Sequence, residues 1–168
     1  MLQIIQAQLD EHKEHIKKLF DANLNEIAPI VDREFNIRVD PNALLEQNLQ
    51  TLHQFTPPHG RFLLAQYETE IVGCAGLRKI GEGIGEVKRM FIKPHYRRLG
   101  IGRSLLSAII NEAQLIGYSL LRLDHAPFAE AAQSLYRSLG FYSIDPYPES
   151  KISEQYHDKW FFMEKPLN

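Results

Sequence analysis

Apolar positions along the chain change period several times, and each change marks an element. Leu2–Ala7 reads as a short strand. Over residues 11–31, Ile16, Phe20, Leu24 and Ile27 recur at helical spacing, with Lys, Glu and His on the opposite side. Asp40-Pro41 starts a second helix, with proline in the first turn. Its apolar stripe is Leu44, Leu45, Leu49, Leu52 and Phe55, and Pro57-Pro58 with Gly60 end it. The stretch RFLLAQYETEIVGCAGLRKIGEGIGEVKRMFIKP then reads as three strands in a meander, turning at Tyr67–Glu70 and Gly81–Gly85. A helix over 104–116 follows, its stripe formed by Leu105, Leu106, Ile109, Ile110, Ala113 and Ile116, and Gly117 ends it. SLLRLDH is a strand, Phe128–Leu139 a helix closed by Gly140, and FYSI and WFFMEKPL are the last strands.

The order β α α β β β α β α β β predicts an α/β fold of the mixed α+β kind: a central, mostly antiparallel sheet flanked by helices. A doubly wound sheet is excluded, because its middle strands would need helical crossovers where this chain has short turns.

Composition narrows the classes. A chain of 168 residues is expected to form a single domain over 1–168. A net charge of -2 gives no reason to expect a nucleic-acid partner. The lone Cys74 excludes an internal disulfide framework and a CxxC metal site, and it reads as a small core residue. No membrane-spanning apolar run and no signal-peptide pattern is present, so a cytoplasmic location is expected.

The chemistry begins in KPHYRRLGIGRSLLSAIINEA, residues 93–113. Gly100 and Gly102 lie between an apolar strand and an apolar helix, where glycine lets backbone N–H groups approach a ligand. The first N–H groups of a helix lack internal partners and carry the positive end of the macrodipole. With Arg97, Arg98 and Arg103 as mobile charge around them, they form an anion site suited to a pyrophosphate. A glycine-assisted turn with solvated arginines is the competing account. No GxxxxGK[ST] loop is present, and GEGIG at 81–85 precedes no helix, so it reads as a hairpin turn.

Arg97-Arg98-Leu99-Gly100-Ile101-Gly102 fits [RQ]-x-x-G-x-[GA], and with GEVKRMFIKP and LYRSLGF the chain resembles the GNAT superfamily of acyl-CoA-dependent N-acetyltransferases. The likeness covers residues 60–145 best. It implies a GNAT-like fold and acetyl-CoA as acyl-donor substrate, with no metal. The diphosphate would rest on Arg97, Arg98, Leu99, Gly100, Ile101, Gly102, Arg103 and Ser104. Backbone groups of Met90, Phe91 and Ile92, on a fourth strand that splays from the fifth and often carries a bulge, would hold the pantetheine arm and polarise the thioester carbonyl.

The resemblance also implies catalytic roles. An alkyl ammonium has a pKa of about 10.4, so acetyl transfer at neutral pH benefits from a base. Glu86, eleven residues before Arg97, matches the position of a basic glutamate in some relatives; a strand-end carboxylate paired with Lys88 or Arg89 is the alternative. Tyr136 occupies the tyrosine of L-Y-x-x-x-G-F, which in the family reaches the cofactor sulfur as an acid; a core tyrosine is the alternative. Where relatives often carry asparagine before that tyrosine, this chain has Ala129, with Gln133 a partial substitute. His125 either shuttles a proton or sits as a solvated loop histidine.

The expected acceptor is the primary amine of a small molecule or amino acid, with a protein amine or a non-catalytic acyl-CoA-binding module as alternatives. Residues 32–40 and 145–159 are candidate rims of the acceptor site, and their mixture of acids, bases and aromatics does not declare a substrate charge. The resemblance admits a homodimer by analogy.

Overall fold

A computed structural model describes residues 1–168. The chain forms β1 (Leu2–Gln6), α1 (Leu9–Phe35), α2 (Pro41–Gln50), β2 (Arg61–Tyr67), β3 (Glu70–Gly81), β4 (Ile84–Ile92), α3 (Ile101–Ile116), β5 (Leu120–His125), α4 (Glu130–Ser138), β6 (Tyr142–Ser143) and β7 (Phe161–Pro166). Element types and order agree with the pattern of the sequence. The strands make one sheet in the order β1-β2-β3-β4-β5-β7-β6. Every neighbouring pair is antiparallel except β4 and β5, which run parallel.

Boundaries moved for local reasons. The first helix runs through Pro29 to Phe35, ending where Asn36 turns left-handed (φ 54°) and returns its N–H to Asp32 O at 2.9 Å. Asp40 caps α2, its Oδ1 accepting from the N–H groups of Asn42 and Ala43 at 3.1 and 3.4 Å. That helix stops at Gln50, and Leu52–Phe55 tighten into a 3-10 turn. The third helix starts at Ile101 rather than 104, so Ile101, Gly102 and Arg103 form its first turn.

The sheet is covered on both faces. Val87, Leu121, Leu123 and Tyr136 pack with Ile101, Leu105 and Ile109 of α3 on one side. Cys74 and Phe91 pack with Ile16, Phe20 and Leu24 of α1, Leu45 of α2 and Phe55 on the other. β3 lies between β2 and β4, buried without interruption from Ile71 to Arg78, as a strand covered on both faces must be. Its neighbour β4 therefore has one edge toward β3 and one toward β5, with a different helical layer on each face.

Candidate active site

The turn before α3 is built from two left-handed residues, Arg98 (φ 65°) and Gly100 (φ 82°). A Cβ on Gly100 would meet nothing within 4 Å, so glycine is required there by the backbone angle alone. Gly102 has another reason: its Cβ would stand 3.2 Å from Leu135 Cδ2 and 3.4 Å from Met90 Cε. From Arg98 to Arg103, every main-chain N–H lacks a protein acceptor. The helical ladder begins one residue later, with Ser104 N–H donating to Gly100 O at 3.1 Å. Ser104 thus brings a hydroxyl, not an amide, to a row of amides that the helix dipole reinforces.

The three arginines are not equivalent, which corrects the expectation of mobile charge. Arg97 is pinned: Nη2 donates to both carboxylate oxygens of Glu26 at 2.9 and 3.0 Å, and Nε donates to Ile92 O at 2.9 Å. Its guanidinium also lies 5.6 Å from the Phe91 ring centre. Arg103 donates to Ser138 Oγ at 2.7 Å. Arg98 is exposed and its side chain forms no ion pair.

β4 and β5 pair only over Ile84–Glu86 and Leu120–Arg122, and beyond Glu86 they diverge. Val87, Lys88, Phe91 and Ile92 stay paired with β3 on one edge, and none of Val87–Ile92 has a β5 partner on the other. Within this stretch β4 carries a bulge. Gly76 faces Lys88 and Cys74 faces Phe91, leaving Arg89 and Met90 opposite Ala75 alone. Arg89 takes φ 58°. Cys74 Sγ donates to Arg89 O at 3.1 Å, and burial pushes that thiol up to about 12, so Cys74 is a protonated strut of the bulge. The bulge also decides the faces: Met90 and Ile92 pack on the α3 side, Phe91 on the α1 side, while Lys88 and Arg89 both line the α2 side.

Tyr136 is buried on the α3 side, its hydroxyl donating to Met90 Sδ at 3.8 Å. Burial, and then the charge of Asp124, raise its pKa to about 12, so the phenol keeps its proton at neutral pH. His125 is no solvated loop residue. It ends β5, 7% exposed, stacked at 5.0 Å on Phe161 and 5.6 Å from the Tyr136 ring. Nδ1 donates to Ala126 O at 3.0 Å, and Nε2 is buried without a partner. Burial lowers its pKa, favouring the neutral ring.

Glu86 is fully buried at the point where β4 and β5 part. Neither Lys88 nor Arg89 pairs with it. Arg78 on β3 does, with Nε donating to Oε1 at 2.8 Å and Nη2 forming an ion pair with the same oxygen at 2.7 Å. Oε2 accepts from the Tyr147 hydroxyl at 2.7 Å, which also lies 3.5 Å from Asp124 Oδ2. Burial and these two carboxylates raise the Tyr147 pKa, so the phenol acts as a donor between them. Asp124 Oδ2 accepts from Ser150 Oγ at 2.9 Å and lies 3.8 Å from Lys88 Nζ. Arg78, Tyr147 and Ser150 escaped the sequence reading because their partners lie 8 to 61 positions away. The pattern of β3 explains Arg78 only in hindsight, as a charge inside an otherwise buried run.

The two candidate rims meet through aromatic rings. Phe35 packs on Tyr156, Trp160 and Phe128, with centroids 5.9, 5.6 and 6.5 Å away. The turn at 81–85 lies at the far end of β4, where Gly83 O accepts from the N–H groups of Ser119 and Leu120.

Comparison with known proteins gives this geometry a context. A family model described as "Acetyltransferase (GNAT) family" matches residues 24–141. An "IAA acetyltransferase" of Azospirillum brasilense is 39% identical over 132 residues, covering 76% of this chain and 78% of the relative. A GNAT acetyltransferase structure from Staphylococcus aureus superposes with a TM-score of 0.77 at 25% identity, covering 100% of both chains. The PaiA N-acetyltransferase of Thermoplasma acidophilum, in complex with coenzyme A, has a TM-score of 0.75 at 19% identity and 99% coverage of both chains, a likeness of fold.

Proposed function

Since the chain belongs to the GNAT family of acetyltransferases, we propose that it moves the acetyl group of acetyl-CoA to the primary amine of a small molecule or amino acid. The observation that carries this reading is the row of unpartnered N–H groups from Arg98 to Arg103 at the head of a 16-residue helix. Such a row fits a diphosphate: it offers convergent donors and positive potential without a side chain in the way. Acetyl-CoA supplies an activated acetyl group as a thioester, and the remaining tasks fall to the chain.

Leu99, Gly100, Ile101, Gly102 and Arg103 hold the diphosphate through their amides, Arg98 and Arg103 add charge, and Ser104 adds its hydroxyl. The free edge of β4 over Met90, Phe91 and Ile92 orients the pantetheine arm and offers an N–H to the thioester oxygen as negative charge develops there. Tyr136 protonates the departing thiolate; its hydroxyl already points at a sulfur, that of Met90. Glu86 takes the ammonium proton through Tyr147: the ammonium gives a proton to the phenol oxygen as the phenol proton passes to Glu86 Oε2 over 2.7 Å. The acceptor-side cavity of about 500 Å³, walled by α2 and by Lys151 of the last loop, suits a small molecule better than a protein surface.

Calorimetry with acetyl-CoA, followed by a thiol-release assay over amines and amino acids with mass spectrometry of the product, tests this. Micromolar binding and one acetylated amine per thiol are expected, with Glu86→Gln binding acetyl-CoA but turning over slowly. Absence of acetyl-CoA binding in the folded protein overturns the proposal, and unchanged turnover in Glu86→Gln removes that residue as base.

A further inference from the structure

On the face of β4 opposite α3, the same cavity of about 500 Å³ is lined by Arg78, Lys88, Arg89 and Lys151, together with neutral side chains that include Asn48 and Gln54, and by no carboxylate. Two of the four cations are answered elsewhere: Arg78 by Glu86 at 2.7 Å, and Lys88, more loosely, by Asp124 at 3.8 Å. Arg89 and Lys151 have no acidic partner. Arg89 is held in an unusual way. Its backbone is left-handed at the bulge, Nη2 donates to Asn48 Oδ1 at 3.0 Å, and the guanidinium stands 6.0 Å from the Phe55 ring centre. Its Nε is buried without a partner.

A half-buried guanidinium with an unused N–H and no carboxylate within ion-pair distance is held against a desolvation cost that the more distant Glu86 and Asp124 offset only in part. Burial and the adjacent Arg78 work against its charge, and an anion placed before it would relieve both. Arginine presents a fork that matches a carboxylate or phosphate, and strain at a bulge is retained where it aims a functional group.

This cavity is separate from the diphosphate cradle. The cradle lies at the start of α3, whereas Lys88 and Arg89 open toward α2. Yet Arg89 immediately precedes Met90, where the thioester would lie on the free edge of β4. Resting on the proposed function, we infer that the acceptor is an amine that also carries a negatively charged group, carboxylate or phosphate, which Arg89 and Lys151 bind while the amine reaches the thioester. Asn48 orients the Arg89 fork, and Arg78, pinned by Glu86, forms the floor.

Matched acceptors test this in the thiol-release assay: glutamate against glutamic diamide for carboxylate, and phosphoethanolamine against ethylamine for phosphate. The charged member of at least one pair should exceed its neutral counterpart by about tenfold or more in kcat/KM, and the pair that does so identifies the anion. Lys151→Glu, an exposed position, should erase most of that ratio without moving the acetyl-CoA Kd, and Arg89→Gln should do so more strongly. Calorimetry with succinate against succinamide reads the cavity independently of turnover; succinate should bind, succinamide should not, and Lys151→Glu should abolish the difference. Equal kcat/KM within both pairs, or succinate binding unaffected by Lys151→Glu, overturns the inference and leaves the acetyltransferase reading standing. Loss of acetyl-CoA binding with succinate binding intact overturns the acetyltransferase reading instead.

Discussion

On the α3 face of β4 the donors are main-chain amides from six consecutive residues, Arg98 to Arg103, projecting from a turn whose angles only two left-handed residues supply. On the α2 face they are side chains of Arg78, Lys88, Arg89 and Lys151, gathered from β3, a bulge and a distant loop. The first site is rigid, contiguous in sequence and indifferent to the identity of most of its side chains. The second depends entirely on side-chain identity and on long-range packing. A ligand shared across a family suits the first construction, and a ligand peculiar to one chain suits the second.

Gly100→Glu should disable the first site and spare the second. The new side chain has steric room, since nothing lies within 4 Å of its Cβ, but it brings a carboxylate to the proposed diphosphate site and forces φ 82° on a residue that resists it. Like charges in contact cost several kcal/mol, so acetyl-CoA affinity should fall about 1000-fold. Gly100→Asn accepts the same angle without the charge and should lose far less. Calorimetry on both variants, with succinate binding as the control for the opposite face, separates charge from strain. Equal losses in the two variants would mean that the backbone angle, not the phosphate, sets the effect.

A smaller effect is expected from Tyr136→Phe, which keeps the ring against Phe141 and His125 and removes only the hydroxyl. If the hydroxyl is the proposed general acid, its loss should lower kcat by about 100-fold, with acetyl-CoA Kd nearly unchanged. The pH dependence has a definite sign. The folded phenol titrates at about 12 against 10 for an ordinary tyrosine, so wild-type kcat should not fall through loss of this proton between neutral pH and pH 10. Because the folded value is raised, the associated stability is complete below pH 10 and is lost as pH rises from 10 toward 12. Thermal unfolding of Tyr136→Phe across that window should decline less than that of wild type. Identical alkaline decline in both proteins would argue against a buried phenol.

How much of this was legible in the sequence follows the same division. The element order and the glycine-arginine turn are local patterns, readable from periodicity and from a short motif, whereas Tyr136 stood out only through the family resemblance. Pairing across β3 and β4 is not. The alternative to a base for Glu86 was a pair with Lys88 or Arg89, close to it in sequence, but Arg78 stands directly opposite it across the sheet and takes the carboxylate. The left-handed Arg89 then turns two adjacent cations to one side, which no alternating pattern foretells. His125 looked like a loop residue because a polar side chain at a strand end usually faces solvent. Phe161 and Tyr136, packed on its ring, bury it instead.

Within the cradle itself, an arginine that is free stands beside one that is tied, and the effects expected there are the smallest. Arg98 extends its charge into solvent beside the amides, whereas Arg97 spends its fork on Glu26 and Ile92. The Arg97–Glu26 pair is half exposed, so it contributes little to stability, but it fixes where one positive charge sits and cancels much of its reach. Arg98→Gln should weaken acetyl-CoA binding about tenfold at low salt and less at physiological salt, because the lost term is screened. Glu26→Gln should have the opposite sign, tightening acetyl-CoA about twofold at low salt by releasing Arg97 toward the diphosphate. Titrating both variants with acetyl-CoA at two ionic strengths measures this. If Glu26→Gln weakens binding, then Glu26 holds Arg97 in the position that the phosphate needs, and the ion pair belongs to the cradle rather than competing with it.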